Sequence, residues 1–381
     1  MKLLVCSHPC VTPVNQAFFA EVERQTGWDL TLVVPSSWKT EYGPRQAERW
    51  PAFRGDLCPI PVLGSGNIPL HVYRATFLRL LRSVQPDAIY VHNEPYAAST
   101  AQLWLANRAT QNVPMGFYSA QNIVKQYPPP FRWTEQAVYR SAQFAFPCAE
   151  SVRDTLRAKG YAGPATVLPL GVDATLYAPD PSTRALRAEL ADGAEVLFGY
   201  VGRITEEKGL PTLLDALHQV PDALNWRLVV LGTGDWASAF DQRAAALGLT
   251  ARITRLGYVE HTAVPRYYAA FDLLVVPSET QPTWKEQFGR VLVESLACGT
   301  PVVGSSSGEI PIVVRRTGGG LVFPEGQATA LANRLTTLAT DPEQRAALGR
   351  TGRENVRTAF TNEALARRFA DTVAQTVSLP A

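Results

Sequence analysis

Short apolar runs return along the whole chain, separated by longer segments with helical spacing, and this alternation restricts the fold more than any other feature. In the first half the runs cover residues 3–6, 30–34, 88–91 and 113–117, with weaker members at 144–146 and 165–168. In the second half they cover 196–201, 227–231, 273–276, 301–304 and 321–323. Runs that are apolar at successive positions suit strands buried on both faces, which is the condition of a parallel sheet covered by helices. Leu210, Leu213, Leu214 and Leu217 fall on one face of such a covering helix. The pattern predicts an α/β protein with two doubly wound parallel-sheet domains facing a cleft, and ligands at the C-terminal ends of the strands.

A chain of 381 residues exceeds one ordinary core, in agreement with two domains. Pro and Asp cluster without strand pattern at 170–187, which sets the expected domains at 1–175 and 176–360. After Phe360, the spacing of Leu365, Phe369 and Val373 predicts an amphipathic helix over 361–381, expected to pack back on the first domain. With 46% hydrophobic and 18% charged residues the chain reads as soluble and globular. A net charge of +2 argues against a nucleic-acid binder. Residues 1–190 hold 18 Lys and Arg against 14 Asp and Glu, and residues 191–381 hold 18 against 20. The basic tilt of the first half fits an anionic partner or a membrane surface there. The cysteines, Cys6, Cys10, Cys58, Cys148 and Cys298, are scattered and form no C-x-x-C pair, so a reducing cytoplasm is expected. The opening MKLLVCSHPC reads as a buried strand rather than a signal peptide, and no run reaches the length of a membrane span.

Two stretches carry chemistry. In GYVGRITEEKGLPTLLDAL, residues 199–217, a strand ends at Val201, Gly202 follows, and a helix starts near Pro211. Arg203 and Lys208 lie in the intervening loop, where both could reach one anion. A diphosphate leaving group calls for such cations, because its charge grows as its bond breaks. The plainer account is two solvated loop cations.

In SETQPTWKEQFGRVLVES, residues 278–295, a helix is expected to start near Gly289 and stop at Gly299. The N–H groups around Phe288, Gly289 and Arg290 are then available to an anion at the helix N-terminus. Glu294, a turn inside the helix, can accept two hydrogen bonds and suits a vicinal diol such as ribose. Glu286, before the helix, would face the hydroxyls of a sugar on the other side of the phosphates. The spacing therefore brackets a nucleotide sugar. The plainer account makes Glu286 a helix N-terminal residue and Glu294 a solvated one.

GRITEEKG followed by PSETQPTWKEQFGRVLVESLACGTPVVGSSSGEIP resembles the retaining, nucleotide-sugar-dependent glycosyltransferase family 4, which has two Rossmann-like domains in the GT-B arrangement. The resemblance spans most of residues 195–325. It implies that Arg203 and Lys208 bind the donor diphosphate, that Glu286 contacts the donor sugar and that Glu294 binds the ribose diol. It also implies that the amides of Phe288, Gly289 and Arg290 serve the phosphates and sugar, and that the backbone of Tyr258 and Val259 meets the base. Glu286, Arg203 and Lys208 would then form the catalytic group, with Gly202 allowing close approach. The chain departs from the family pattern at Glu309, where a glycine is usual, and at Ile312, where a glutamate is usual. It also carries Tyr118 where many members have a histidine.

The first domain is the expected acceptor side. His92, Asn93 and Glu94 follow a strand and are candidates to line the cleft, although a packed strand-end histidine accounts for His92 equally well. Tyr118, Gln121, Asn122 and Lys125 belong to a stretch rich in amides and aromatics that suits a sugar or an anionic membrane surface. A proline-rich loop packed on its own domain is the alternative.

The chain has no D-x-D and no His or Cys cluster with metal-ligand spacing, so metal-independent chemistry with no cofactor is expected. The combined reading is a retaining glycosyltransferase that uses a nucleotide sugar and a sugar, polysaccharide or lipid-linked acceptor in glycoconjugate biosynthesis. Its expected place is the cytoplasm, with peripheral contact at the inner face of the membrane through the first domain. A sugar-nucleotide epimerase on the same fold and a silent carbohydrate-binding scaffold are the alternatives.

Overall fold

In the computed structural model, which describes residues 1–40, 43–74 and 76–378, the apolar runs lie as strands in two sheets. The first sheet has the order Phe144–Pro147, Met115–Ser119, Ala88–Val91, Lys2–Cys6, Asp29–Pro35, Asp56–Ile60, with every pair parallel. The second has the order Ile253–Gly257, Trp226–Leu231, Val196–Val201, Leu273–Val276, Val302–Ser305, Gly320–Phe323, again all parallel. In each sheet the chain begins at the centre, winds to one edge, then returns and winds to the other. The order therefore reverses between Lys2–Cys6 and Ala88–Val91, and between Val196–Val201 and Leu273–Val276. Loops leaving the carboxyl ends of those strand pairs diverge and open a crevice.

The strands are apolar throughout because both faces are covered. In the first sheet Leu3, Val5, Leu32 and Tyr90 pack on one face with Phe19, while Leu4, Cys6, Val33 and Ile89 pack on the other with Phe77 and Leu81. In the second, Leu197, Val229 and Leu274 join Leu292 and Leu296, and Phe198, Leu228 and Leu273 join Leu213 and Leu217.

The chain divides into two compact units, Met1–Pro169 with Asn362–Ala381, and Leu170–Thr361. The terminal helix, Asn362–Ser378, belongs to the first unit and buries Leu365, Phe369 and Val373 beside Phe146 and Phe19. Its apolar fastening contributes roughly 1.5–3 kcal/mol per fully buried side chain, and Arg368 adds a hydrogen bond to the Val167 carbonyl at 3.1 Å. Residues 379–381 of the expected helix lie outside the described residues.

Local chemistry shifted some expected elements. The run at 113–117 begins its strand only at Met115, because Val113 exchanges both backbone bonds with the Asn107 side chain, at 3.0 and 2.8 Å. The run at 165–168 forms no strand: a single bridge joins Ala165 to Ala145, and Pro164 and Pro169, which have no N–H, flank it. The strands Asp56–Ile60 and Ile253–Gly257 were not expected from the sequence. Both are edge strands with one neighbour and a solvent side, so polar residues interrupt their apolar pattern. No helix among the described residues is long and apolar enough to cross a membrane.

Candidate functional site

The crevice of the second sheet is built by two loops that touch through their backbones. One leaves Val196–Val201, carries Arg203 and Lys208, and enters the helix Leu210–Gln219 through Gly209. Gly209 has φ +67°, and a Cβ there would lie 1.9 Å from the Pro277 carbonyl oxygen, so only glycine admits this approach. The other loop, residues 277–289, leaves Leu273–Val276 and enters the helix Arg290–Ala297 through Gly289. The Glu279 N–H donates to the Glu207 carbonyl at 2.9 Å and ties the two loops together.

Between them lies a pocket of about 170 Å³ lined by Gly202, Arg203, Lys208, Ser278, Glu286, Gly289 and Arg290, among others. Glu286 is 8% exposed. One of its carboxylate oxygens, Oε2, accepts from Lys208 Nζ at 2.7 Å and from Ser278 Oγ at 2.9 Å. Its backbone is clamped as well: the Glu286 carbonyl accepts the Glu309 N–H at 3.1 Å, and a Cβ on Gly308 would fall 2.0 Å from that oxygen. The departure at Glu309 thus sits directly behind Glu286, with Glu309 itself buried ahead of the helix Ile310–Thr317. Ile312 lies within that helix.

Glu294 is 6% exposed and is not a solvated helix residue. Its Oε2 accepts from the Tyr268 hydroxyl at 3.0 Å, and its Oε1 pairs with Arg290 Nε at 2.9 Å. Arg203 Nη2 lies 3.2 Å from Glu207. Each of the three cations at the crevice is therefore matched by a carboxylate, and an entering anion would compete for cations already in place.

Phe288 turns its ring into the core, 6.0 Å from Phe360. Tyr258 and Val259 follow Ile253–Gly257 at the same end of the sheet, outside the pocket lining. Two residues that contact Lys208 or Glu286 were not singled out from sequence, Ser278 in the pocket lining and Trp284 beside Lys208. Ser278 carried no signal beyond its place after a strand. Trp284, whose ring centroid lies 4.6 Å from Lys208 Nζ, had none, because its partner is far away in the chain.

The first unit places His92, Asn93 and Glu94 after Ala88–Val91, beside its own strand reversal. Their side chains are engaged internally. His92 Nδ1 shares a hydrogen bond with Ser7 Oγ at 3.2 Å, its ring packs edge-on to Tyr118 at 4.6 Å, and burial lowers its pKa to about 4. Asn93 donates to Ser99 Oγ at 2.9 Å and accepts the Glu94 N–H at 2.8 Å. Glu94 accepts the Ala120 N–H at 2.7 Å and the Ser119 hydroxyl at 2.8 Å, while burial pushes its carboxyl up to about 7. Gln121 donates to the Tyr127 hydroxyl at 3.0 Å, and Asn122 is buried. Lys125 is half-buried in the same loop. Tyr127 packs against the Lys159 ammonium, 4.4 Å from its ring, and Lys159 pairs with Glu135 at 2.5 Å. The stretch is thus a loop anchored on its own domain. Among the described residues no group of three or more His, Cys, Asp or Glu side chains is placed to hold a metal ion.

The chain matches two family models, "Glycosyl transferases group 1" over residues 182–355 and "Glycosyl transferase 4-like domain" over residues 19–171. It is 30% identical to a GDP-mannose-dependent alpha-(1-6)-phosphatidylinositol monomannoside mannosyltransferase of Mycobacterium tuberculosis, over 54% of this chain and 54% of that protein. It is 32% identical to a D-inositol 3-phosphate glycosyltransferase of Segniliparus rotundus, over 49% of this chain and 41% of that protein. The chain therefore spans about half the length of the curated relatives it matches. Among solved structures, Anabaena HepE in complex with UDP shares the fold with a TM-score of 0.77 at 19% identity, covering 98% of this chain and 100% of that one.

Proposed function

The chain belongs to the group 1 glycosyl transferases, and on that premise we propose that it moves a sugar from a nucleoside-diphosphate donor to a hydroxyl acceptor with retention at the anomeric carbon. Its two Rossmann-like domains are of the GT-B class. The observation that carries the proposal is the meeting of Lys208 and Glu286 in a pocket at the strand reversal, beside a helix start.

In this reading the diphosphate lies against Arg203, Lys208 and the N–H groups of Phe288, Gly289 and Arg290, with Gly202 leaving room for it. Fixed cations and a helix N-terminus stabilise the charge that develops on the departing phosphate. Glu294 takes the ribose diol, Glu286 the hydroxyls of the transferred sugar, and the backbone at Tyr258 and Val259 the base. The bond from the anomeric carbon to the diphosphate oxygen breaks as the acceptor oxygen approaches from the same face. The departing phosphate oxygen takes the acceptor proton, so no carboxylate nucleophile is required. Early product with net inversion would rule this course out. These cations supply the charge neutralisation without a metal, and a chelator is expected to leave transfer unchanged.

The acceptor is a sugar, a polysaccharide or a lipid-linked intermediate in glycoconjugate biosynthesis. The M. tuberculosis relative named for a phosphatidylinositol mannoside supports a lipid-linked one. Trp133 and Val124, 68% and 58% exposed, lie on the first unit near Lys125 and Arg132, which supports peripheral contact with an anionic inner membrane face from the cytoplasm.

Titration of UDP, GDP and ADP into the wild type and Glu294→Ala by calorimetry tests the site. One nucleotide binding the wild type, with a large loss in the variant, is the expected result. Absence of binding at millimolar nucleotide would overturn it.

A further inference from the structure

Between the strand Leu273–Val276 and the helix Arg290–Ala297 the chain makes a tight turn through Gln281, Pro282, Thr283 and Trp284. Its end residues exchange two backbone hydrogen bonds, Gln281 N to Trp284 O at 2.7 Å and Trp284 N to Gln281 O at 3.2 Å. Proline at the second position pre-sets the backbone for such a turn. The turn brings the half-buried indole of Trp284 over Lys208, whose Nζ lies 4.6 Å from the ring centroid. The same ammonium is 2.7 Å from Glu286 Oε2, the oxygen that Ser278 Oγ also reaches at 2.9 Å.

A lysine ammonium sits on a flexible four-carbon stem, and one carboxylate contact leaves it free to swing about that contact. The negative face of an indole attracts a cation and closes off one side of its range. Carboxylate and ring together leave the ammonium one place, facing the pocket.

We propose that Trp284 is a positioning residue: its indole face confines the Lys208 ammonium beside Glu286, where the donor diphosphate is held, and so strengthens diphosphate binding and speeds diphosphate departure. This rests on the donor-site reading above. Trp284 acts through Lys208 and not by its own contact with the nucleotide.

The test uses the full chain with Trp284→Phe, Trp284→Leu, Lys208→Met and the Lys208→Met/Trp284→Leu double variant, with UDP and GDP as probes. Affinity is read by calorimetry, and by nucleotide-induced thermal shift at millimolar nucleotide where heats are small. Trp284→Leu is expected to bind about 3- to 10-fold more weakly, and Trp284→Phe, which keeps a π face, within about 2-fold of wild type. In the Lys208→Met background Trp284→Leu is expected to add no further loss, because the coupling is between those two side chains. Equal losses in both backgrounds, or equal losses for the Phe and Leu variants, would assign Trp284 to loop packing or direct ligand contact and overturn the proposal. Unchanged affinity in Trp284→Leu would overturn it as well. A wild type that binds neither UDP nor GDP would bring down the donor-site reading itself, an outcome distinct from the others.

Discussion

Lys208 and Glu286 lie 78 positions apart in the chain and meet at 2.7 Å in the crevice of the second sheet. Each stands on a loop at the carboxyl end of one of the two strands where the winding reverses, so the topology makes the pair. Neither loop could hold the geometry alone. Gly209 lets the backbones touch, and Ser278 and Glu309 fix the carboxylate and the carbonyl of Glu286.

Glu286→Gln keeps the shape of the side chain and one acceptor oxygen and removes its charge. Turnover is expected to fall about 10²- to 10³-fold, as for loss of one oriented electrostatic group. Nucleoside diphosphate affinity should change far less than turnover, because Trp284 still confines the Lys208 ammonium. Single-turnover rates set beside calorimetric affinities check this, and a parallel loss of both would show that Glu286 serves binding alone.

Gly308 has φ +52°, and a Cβ there meets the Glu286 carbonyl at 2.0 Å, with backbone on both sides and no flexible side chain to move away. Gly308→Ala is expected to lower stability by about 2–4 kcal/mol in urea unfolding. The surviving folded protein should bind nucleotide more weakly, since Glu286 must shift. Full nucleotide affinity in a destabilised variant would separate the clamp from the site.

Glu94 gives a pH signature. Burial pushes its carboxyl from 4.5 up to about 7, assisted by Glu135 and opposed by the Ala120 N–H, the Ser119 hydroxyl and Lys159. The folded chain therefore holds a proton that the unfolded chain releases above about 4.5. Stability from protonated Glu94 is present at acid pH and lost as pH rises through about 7, on the order of 3 kcal/mol in all. His92, lowered to about 4, acts in the opposite sense: its contribution is present above 6.5 and lost as pH falls towards 4. Glu94→Gln mimics the protonated acid, with its oxygen on the Ala120 N–H and its amide on Ser119 Oγ. Compared by urea unfolding at pH 5 and pH 8, the variant should gain on the wild type at pH 8, and the shared His92 term cancels. A pH-independent difference would contradict the burial argument.

Phe369 is fully buried, with its ring 4.8 Å from Phe146 and 5.1 Å from Tyr90. Phe369→Ala is expected to destabilise the first unit by about 3–5 kcal/mol, as large core aromatics do. The site residues around Lys208 belong to the other unit, so nucleotide affinity should not change. Thermal melts together with calorimetry read both effects, and a joint loss would mean that the units do not unfold separately.

Central strands such as Val196–Val201 were legible because burial on both faces requires uninterrupted apolar residues, whereas the edge strand Ile253–Gly257 shows solvent on one side and leaves only a broken pattern. The helix start at Arg290 was legible from Gly289, and its stop from Gly299, because backbone geometry at helix ends selects glycine locally. What could not be read was pairing at a distance. Lys208 with Trp284, Tyr268 with Glu294 and Ser119 with Glu94 have no sequence signal, because hydrogen bonds and ring contacts across tens of residues leave no period.

By itself the sequence determined two parallel α/β sheets, the helix starts near Pro211 and Gly289 and the set of charged residues at one strand reversal, all of which follow from periodicity and from local backbone preference. Only the tertiary structure decided which of those charges face one another. It buried Glu294 against Tyr268, brought Lys208 between Glu286 and Trp284, and turned Asn93 and Glu94 inward to brace their own loops. The physical reason is that side-chain pairing depends on which loops the sheet order sets side by side, and strand order is a property of the folded chain as a whole.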